Sequence, residues 1–424
     1  MSVDSRFSGL LSTPRAEGSP CIKVVVHSGF QMPHPVLDTI AFLMSTPHIA
    51  IIGAGPCGLT LAQLLERKGI ANYIVYERDD SPNSNRAGGS LDIHPETGQR
   101  ALREAGLFDK FKECARYADT AFALGDKNGN RIFQMGEGRD APEIDRAELR
   151  KILLDAVPEG KIRWGHILKE VTFGDDGRPR LRFENGTVLS GVKLVVGADG
   201  AWSKVRRVIT KATPQFAGKA YLEGRIRRDN PLYKTMTGEF GPGMYLAIGD
   251  KKITITQRQG DGSYRIYFGF QTPEYFFRTL DLQNVEGIRE MLLSSKYYGD
   301  WAEGTKDLIR HATDFWAWSL YTLSKEDLSW KSVSGATLCG DAAHVTVPNG
   351  EGVNLAMADA LELATSIAQH GVEELNEAVA EYEKGMLGRG AETIAQGEMM
   401  TEAMFVERPE IFVQKFGPIM GLNN

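Results

Sequence analysis

Apolar residues in this chain fall into short runs and helical stripes, and their order along the sequence predicts an α/β fold. His48–Ile52 is an apolar run ending in glycine, which predicts a buried strand. From Pro56 to Lys68, Leu59, Ala62, Leu64 and Leu65 recur at helical spacing, and Gly69 closes the helix. Asn72–Tyr76 predicts a second strand that ends at Glu77. A polar loop, Asp79–Asn85, comes next, and then Thr97–Ala105 and Arg146–Ala156 carry the apolar stripes of helices. From about residue 161 the period shortens. Ile162–Trp164, Lys169–Phe173, Arg180–Glu184 and Thr187–Leu189 predict short strands around Asp175-Asp176-Gly177 and Glu184-Asn185-Gly186. Leu194–Val196 predicts one more buried strand. Residues 215–275 are β-rich, with strands expected at Tyr221–Ile226, Met244–Ile248, Ile253–Gln257 and Tyr264–Phe270. A helical stretch covers 285–310, a strand Ala336–Cys339, a long helix Val353–His370, and a further helical segment 373–405.

Three ordered segments carry candidate chemistry. In Gly53-x-Gly55-x-x-Gly58 the first glycine permits a tight turn, the second lets backbone approach a pyrophosphate, and the third packs helix on strand. Pro56 opens that helix, whose N-terminus directs partial positive charge at phosphates. Glu77 ends the next strand, where a carboxylate can bond a ribose hydroxyl. The strand, turn, helix, strand order favours dinucleotide binding over a glycine turn that serves packing alone. The second segment is Gly197-Ala198-Asp199-Gly200-Ala201-Trp202-Ser203-Lys204-Val205-Arg206. The third runs from Gly340-Asp341-Ala342-Ala343-His344 through Pro348 to Gly350-Glu351-Gly352 and Asn354. Asp341 can accept bonds from a hydroxyl chain, and the amides of Gly350 to Val353 can stabilise negative charge at a helix start. A capping Asp in an ordinary turn is the plainer alternative. His344 reads better as a hydrogen-bonded structural histidine than as a general base.

Composition narrows the classes further. The 424 residues leave room for two or three domains. Hydrophobic content of 42%, charged content of 25% and mean hydropathy of -0.26 are those of a soluble globular protein. A net charge of -6 argues against nucleic acid as a partner. Cys21, Cys57, Cys114 and Cys339 lack metal-ligand or CxxC spacing, so no metal site is expected and a reduced, cytoplasmic compartment is. No apolar run reaches the roughly 18 residues that span a bilayer. Residues 1–43 have no clear periodicity and read as a disordered or loosely attached extension, or as a weak targeting segment. Gly238-Glu239-Phe240-Gly241-Pro242-Gly243 lies between β segments and is expected to be a loop. With one dinucleotide fingerprint only, a nicotinamide donor would have to bind transiently. No nucleophile elbow, P-loop or HExxH motif points to hydrolysis.

The span from about 48 to 405 resembles the single-component, class A flavin-dependent monooxygenases related to para-hydroxybenzoate hydroxylase, on those three motifs in that order. Tyr76-Glu77-Arg78, the stretch from Arg86-Ala87-Gly88-Gly89 to Asp92-Ile93-His94, and Ile144–Arg150 look most like the tetracycline-inactivating members. The resemblance implies a Rossmann-like FAD-binding domain in two parts, 44–215 and 326–385. A β-sheet substrate domain, 216–325, is inserted between them, and a C-terminal helix and tail, 386–424, bridge the two. FAD contacts are implied for Gly53, Gly55, Pro56, Gly58, Glu77, Arg78, Arg86, Asp92, Arg146, Asp199, Asp341, Pro348, Gly350, Glu351, Gly352 and Val353. Arg150 is a further candidate, and Arg86 would flank the flavin. The 344–350 loop is one residue shorter than in close relatives, and Glu351 stands where they carry Gln, which would add negative charge at the flavin edge. Where tetracycline-inactivating members present Gln, Arg and His to substrate, this chain has Glu223, Lys252 and Arg265, with Tyr267 as a further pocket candidate.

The reaction implied is hydroxylation. NAD(P)H, a transient co-substrate, reduces FAD; O2 adds at C4a; and the hydroperoxyflavin transfers OH to an electron-rich phenolic, polyketide-like or tetracycline-like molecule. Such chemistry needs little side-chain acid–base work, so no catalytic base is assigned. Glu223, Arg265 and Tyr267 could orient or deprotonate a phenol, or be ordinary sheet residues. A flavin oxidase or dehydrogenase of a small aromatic metabolite is the alternative enzyme, and a flavin-binding or drug-sequestering protein the non-enzymatic one. A monomer or weak dimer is expected.

Overall fold

The computed structural model describes residues 46–84, 88–136 and 138–417. Arg86 and the 1–43 extension lie outside them. Five parallel strands form the first sheet, in the order Ala336–Leu338, Leu194–Gly197, Ile49–Ile52, Tyr73–Tyr76, Ile162–Arg163. Ile49–Ile52 is central and buried throughout, because cover on both faces leaves no position for a polar side chain. Ala198 N–H donates to Ile52 O and Cys339 N–H to Gly197 O, so the sheet continues into the turns that carry the second and third motifs.

Helix Pro56–Arg67 follows the first strand, with proline in its first turn, where no intrahelical donor is lost. It packs against helices Gly352–His370 and Arg146–Ala156, burying Leu59, Leu61, Leu64 and Leu65. The helix approaches the glycine turn very closely at Gly58, where a Cβ would lie 2.0 Å from the Gly53 carbonyl oxygen. A small three-stranded sheet, Leu168–Phe173, Pro179–Phe183 and Val188–Leu189, joins this core, Phe183 stacking on Tyr76 at 5.0 Å.

The second sheet has seven strands, in the order Thr313–Thr322, Gln215–Ile226, Tyr264–Gln271, Lys252–Arg258, Met244–Gly249, Phe122–Asp126, Arg131–Met135. Pairing is antiparallel except between Met244–Gly249 and Phe122–Asp126. One face carries Leu222, Ile266 and Phe268 into a core with Tyr298, Trp301 and Leu308. The register sets the opposite face: Glu223 pairs with Tyr267 and Tyr267 with Ile255, so these three side chains share one side.

Several elements depart from the sequence pattern or from the domain bounds. Phe122–Asp126 and Arg131–Met135 lie within the stretch assigned to the first FAD part, yet they extend the second sheet. Thr313–Thr322 is an edge strand whose partner carries two register shifts, which breaks the even alternation that marks a strand in sequence. The helical stretch 285–310 is two helices, Val285–Leu292 and Glu303–His311, separated by a turn that buries Trp301. Gly238 to Phe240, expected in a loop, end helix Tyr233–Phe240. At the C-terminal end, helix Leu375–Met404 fits the expected segment 373–405 but starts before the domain bound at 386, and Pro409–Phe416 follows it.

Two glycines give a contrast in sign. Gly58→Ala drives a methyl group into the Gly53 carbonyl and should lower the urea midpoint by the equivalent of about 1–3 kcal/mol. Gly238→Ala, on an open helix face with nothing within 4 Å, should raise it by up to about 1 kcal/mol.

Candidate active site

A cavity of about 450 Å³ opens at the C-terminal ends of the parallel strands, the usual ligand position in such sheets. Gly53, Gly55, Pro56, Glu77, Arg78, Arg146, Asp199, Asp341, Gly352 and Val353 line it, so the three sequence motifs do converge. Gly58 lies beneath the glycine turn instead. Pro348 and Gly350 are exposed in the loop before the Gly352–His370 helix, and Asp92 and Glu351 turn their carboxylates to His94. His166, Trp202 and Lys204 also line the cavity. The last two were legible as part of the second motif; His166 had no signal of its own.

Several side chains stiffen the wall. Glu77 is buried, its Oε2 accepting from Ala54 N–H at 2.5 Å and its Oε1 from Asp79 N–H at 2.9 Å. It therefore shapes the glycine turn as well as facing the cavity. Arg150 braces the same turn, donating to Ala54 O, Pro82 O and Asp79 Oδ2 at 3.2–3.3 Å. Arg206 is buried and donates from Nε to Ala342 O, from Nη1 to Ala201 O and from Nη2 to Asp341 O, each at 2.7 Å. Sequence reasoning quoted Arg206 as the end of a motif and assigned it no task. His344 is buried with Nε2 2.6 Å from Asp359 Oδ2, which is the structural placement.

Asp199 tests whether a hydroxyl-bearing ligand fits. Its Oδ2 accepts from Lys204 N–H at 2.8 Å, but Oδ1 is buried with no hydrogen-bond partner. Burial raises its pKa above the ordinary carboxylate range. An orphaned acceptor of this kind costs about 1–3 kcal/mol. The carboxylates of Glu77, Asp199 and Asp341 line the same cavity, so its wall offers acceptors to a ligand rich in hydroxyls, as a dinucleotide is.

The second sheet meets the cavity through two glycines. A Cβ on Gly88 would lie 2.5 Å from Arg146 Cδ, and one on Gly89 would lie 2.6 Å from Tyr267 Oη. The 88–89 backbone is thus wedged between a cavity residue and the sheet face. On that face Glu223 is buried, paired with the Arg265 guanidinium and accepting from Trp318 Nε1 at 2.8 Å. Burial pushes the Tyr267 phenol far above its ordinary value, so it remains a neutral O–H donor at physiological pH. Lys252 is not part of this group. It pairs with Gly249, one residue out of phase with Ile253 and Ile255, so it lies on the opposite face and its Nζ donates to Tyr297 O.

Glu143 was missed altogether, since nothing in its local sequence separates it from an exposed strand carboxylate. It is buried where strand Glu143–Asp145 meets the sheet, and Gln257 Nε2 donates to its Oε2 at 3.1 Å. Burial raises its pKa to about 7, although the Ser90 hydroxyl opposes the shift. Among the described residues no cluster of His, Cys, Asp and Glu could hold a metal ion, and no helix is long and apolar enough to cross a membrane.

The sequence matches the FAD binding domain family over residues 46–244 and 330–390. It is 30% identical over 391 residues to monooxygenase penA of Penicillium thymicola, covering 79% of this chain and 90% of that one. It is 29% identical over 375 residues to 3-amino-4-hydroxybenzoate 2-monooxygenase of Streptomyces cremeus, covering 84% and 86%. The tetracycline destructase Tet(55) superposes with a TM-score of 0.69 at 20% identity, over 89% of this chain and 96% of that one, a likeness of fold.

Glu143 makes a pH test. Its folded pKa lies above the unfolded value, so its contribution to stability is complete below about pH 4.5 and is lost as pH rises to about 7. Glu143→Gln should match the parent near pH 4.5 and exceed it at pH 8, by on the order of 3 kcal/mol at most. Urea midpoints at the two pH values measure the gap, and a constant gap would show that the carboxyl is not shifted.

Proposed function

This chain belongs to the FAD binding domain family and is an FAD-dependent monooxygenase, and from that premise we propose how its residues divide the work. The observation that carries the proposal is the convergence of three distant motifs on one cavity lined by Glu77, Asp199 and Asp341. The Gly53–Gly58 turn and the start of its helix hold the pyrophosphate, and Glu77 the adenosine ribose. Asp199 and Asp341 accept from the cofactor's hydroxyls. The Gly352 and Val353 amides face its redox end, where the helix start favours negative charge. FAD bound there, with electrons from NAD(P)H, supplies the activation of O2 that places one oxygen atom in the product and the other in water.

The substrate we propose is an electron-rich, planar aromatic molecule with a phenolic or enolic oxygen, set on the second sheet face beyond Gly88-Gly89. Tyr267, kept neutral, donates to that oxygen. The Glu223 and Arg265 pair, held further by the Trp318 indole, gives the face a fixed polar feature to read the substituents. The relative that hydroxylates an aminohydroxybenzoate by name supports a small phenolic ring. A tetracycline is less well supported, because Lys252 lies on the far face and Arg265 is already engaged by Glu223. No side chain on this face needs to act as a base. Its work is to orient the ring and keep water out.

A panel of phenolic, polyketide and indole-type compounds, incubated with the purified protein, NAD(P)H and isotopically labelled O2, should yield a product heavier by one labelled oxygen atom. Release of hydrogen peroxide with unlabelled product would identify an oxidase instead. With an accepted substrate, Tyr267→Phe should lower kcat/KM about tenfold and leave the FAD affinity of the protein unchanged, since one hydrogen bond is worth about 1–1.5 kcal/mol.

A further inference from the structure

His94 sits where the two parts of the cofactor fold meet. Its Nε2 lies 2.9 Å from Asp92 Oδ2, on its own segment, and its Nδ1 lies 3.2 Å from Glu351 Oε1, just before the Gly352–His370 helix. The ring is half-buried, and both nitrogens face a carboxylate, an arrangement that only the doubly protonated form satisfies, because a neutral imidazole has a single N–H. Among the described residues, these two carboxylates are the charged groups on the packed elements that face the ring. The third neighbour, Asn354, is neutral. It is buried, its Oδ1 accepting from His94 N–H at 2.8 Å while its Nδ2 donates to Asp92 O at 2.9 Å and Gly350 O at 3.3 Å. Side-chain and backbone bonds therefore tie residues 92–94 to the turn whose next residues, Gly352 and Val353, line the cavity.

We propose that His94 is a positioning residue: bridging Asp92 and Glu351 as an imidazolium, it draws the Glu351 carboxylate off the cavity rim and cancels one of two negative charges at the redox end of the cofactor. The negative charge that Glu351 is expected to add at the flavin edge is offset by this pairing. The hydrogen bonds that the ring donates to the carboxylates of Asp92 and Glu351 raise the His94 pKa to about 10, against the opposing effect of burial, so the bridge persists across the physiological range. The inference rests on the reading that FAD occupies the cavity with its redox end at Gly352.

Charge counting separates this role from a merely structural one. The trio carries one positive and two negative charges. His94→Asn leaves two negative charges, Glu351→Gln leaves none in excess, and the double variant restores the parent's single excess. Asn354 still ties the backbones in every case, so the variants should fold. Reduced FAD carries more negative charge than oxidised FAD, so its midpoint potential, measured on each holoprotein, should follow the count. His94→Asn should favour oxidised FAD roughly tenfold, about 30 mV for a two-electron couple. Glu351→Gln should move the other way, and the double variant should return to the parent value. A double variant displaced as far as His94→Asn, or three unchanged potentials, would overturn the proposal. Nitrogen NMR of the FAD-free protein gives an independent check: His94 should be doubly protonated at pH 8, and a neutral ring there would also overturn it. Failure to bind FAD at all would sink the assignment of the cavity, a different result from normal binding with unmoved potentials.

Discussion

The site depends first on one buried guanidinium. Arg206 donates to three backbone carbonyls, on Ala201, Ala342 and Asp341, and so joins two motifs that lie 135 residues apart in the chain. A lysine could not do this, because its single ammonium cannot reach three fixed acceptors in a plane. Burial disfavours the charged guanidinium, and the carboxylates of Asp199 and Asp341 offset that effect in part. The same clamp sets where Asp199 and Asp341 stand on the cavity wall. On the proposed reading, a cofactor held along that wall finds its acceptors already in position, and ordering them on binding costs little.

The second constraint is the contact at Gly88-Gly89. Two residues without side chains let Arg146, a cavity residue, and Tyr267, on the second sheet, approach one backbone segment. On the proposed reading, that closeness brings cofactor and substrate within reach of each other. It also concentrates ionisable groups: Glu143, Asp92, His94, Glu351, Arg265 and Glu223 all lie near this junction. Most are paired. Glu143 is the exception, held back from ionisation by burial.

Much of this was legible beforehand, but unevenly. The strand, turn and helix from Ile49 to Arg67 could be read in full, because the run of apolar residues, the proline and the glycine spacing are all local. The convergence of the motifs was legible from their type and order alone. The edge strand Thr313–Thr322 was not, since its alternation is interrupted where its partner bulges, and neither were the strands at Phe122–Met135, whose sheet neighbour lies more than a hundred residues away.

What the chain determines by itself is the set of steric and periodic requirements that neighbours in sequence impose on one another: a glycine turn, a helix start, a row of buried strands. Tertiary structure alone decides which charged groups meet. Glu351 looked like added negative charge until the fold placed His94 beside it, and Lys252 looked like a pocket residue until register put it on the other face. The physical reason is range. Backbone sterics act within a turn or two of chain, whereas ion pairing and burial depend on distances in space that no linear spacing encodes.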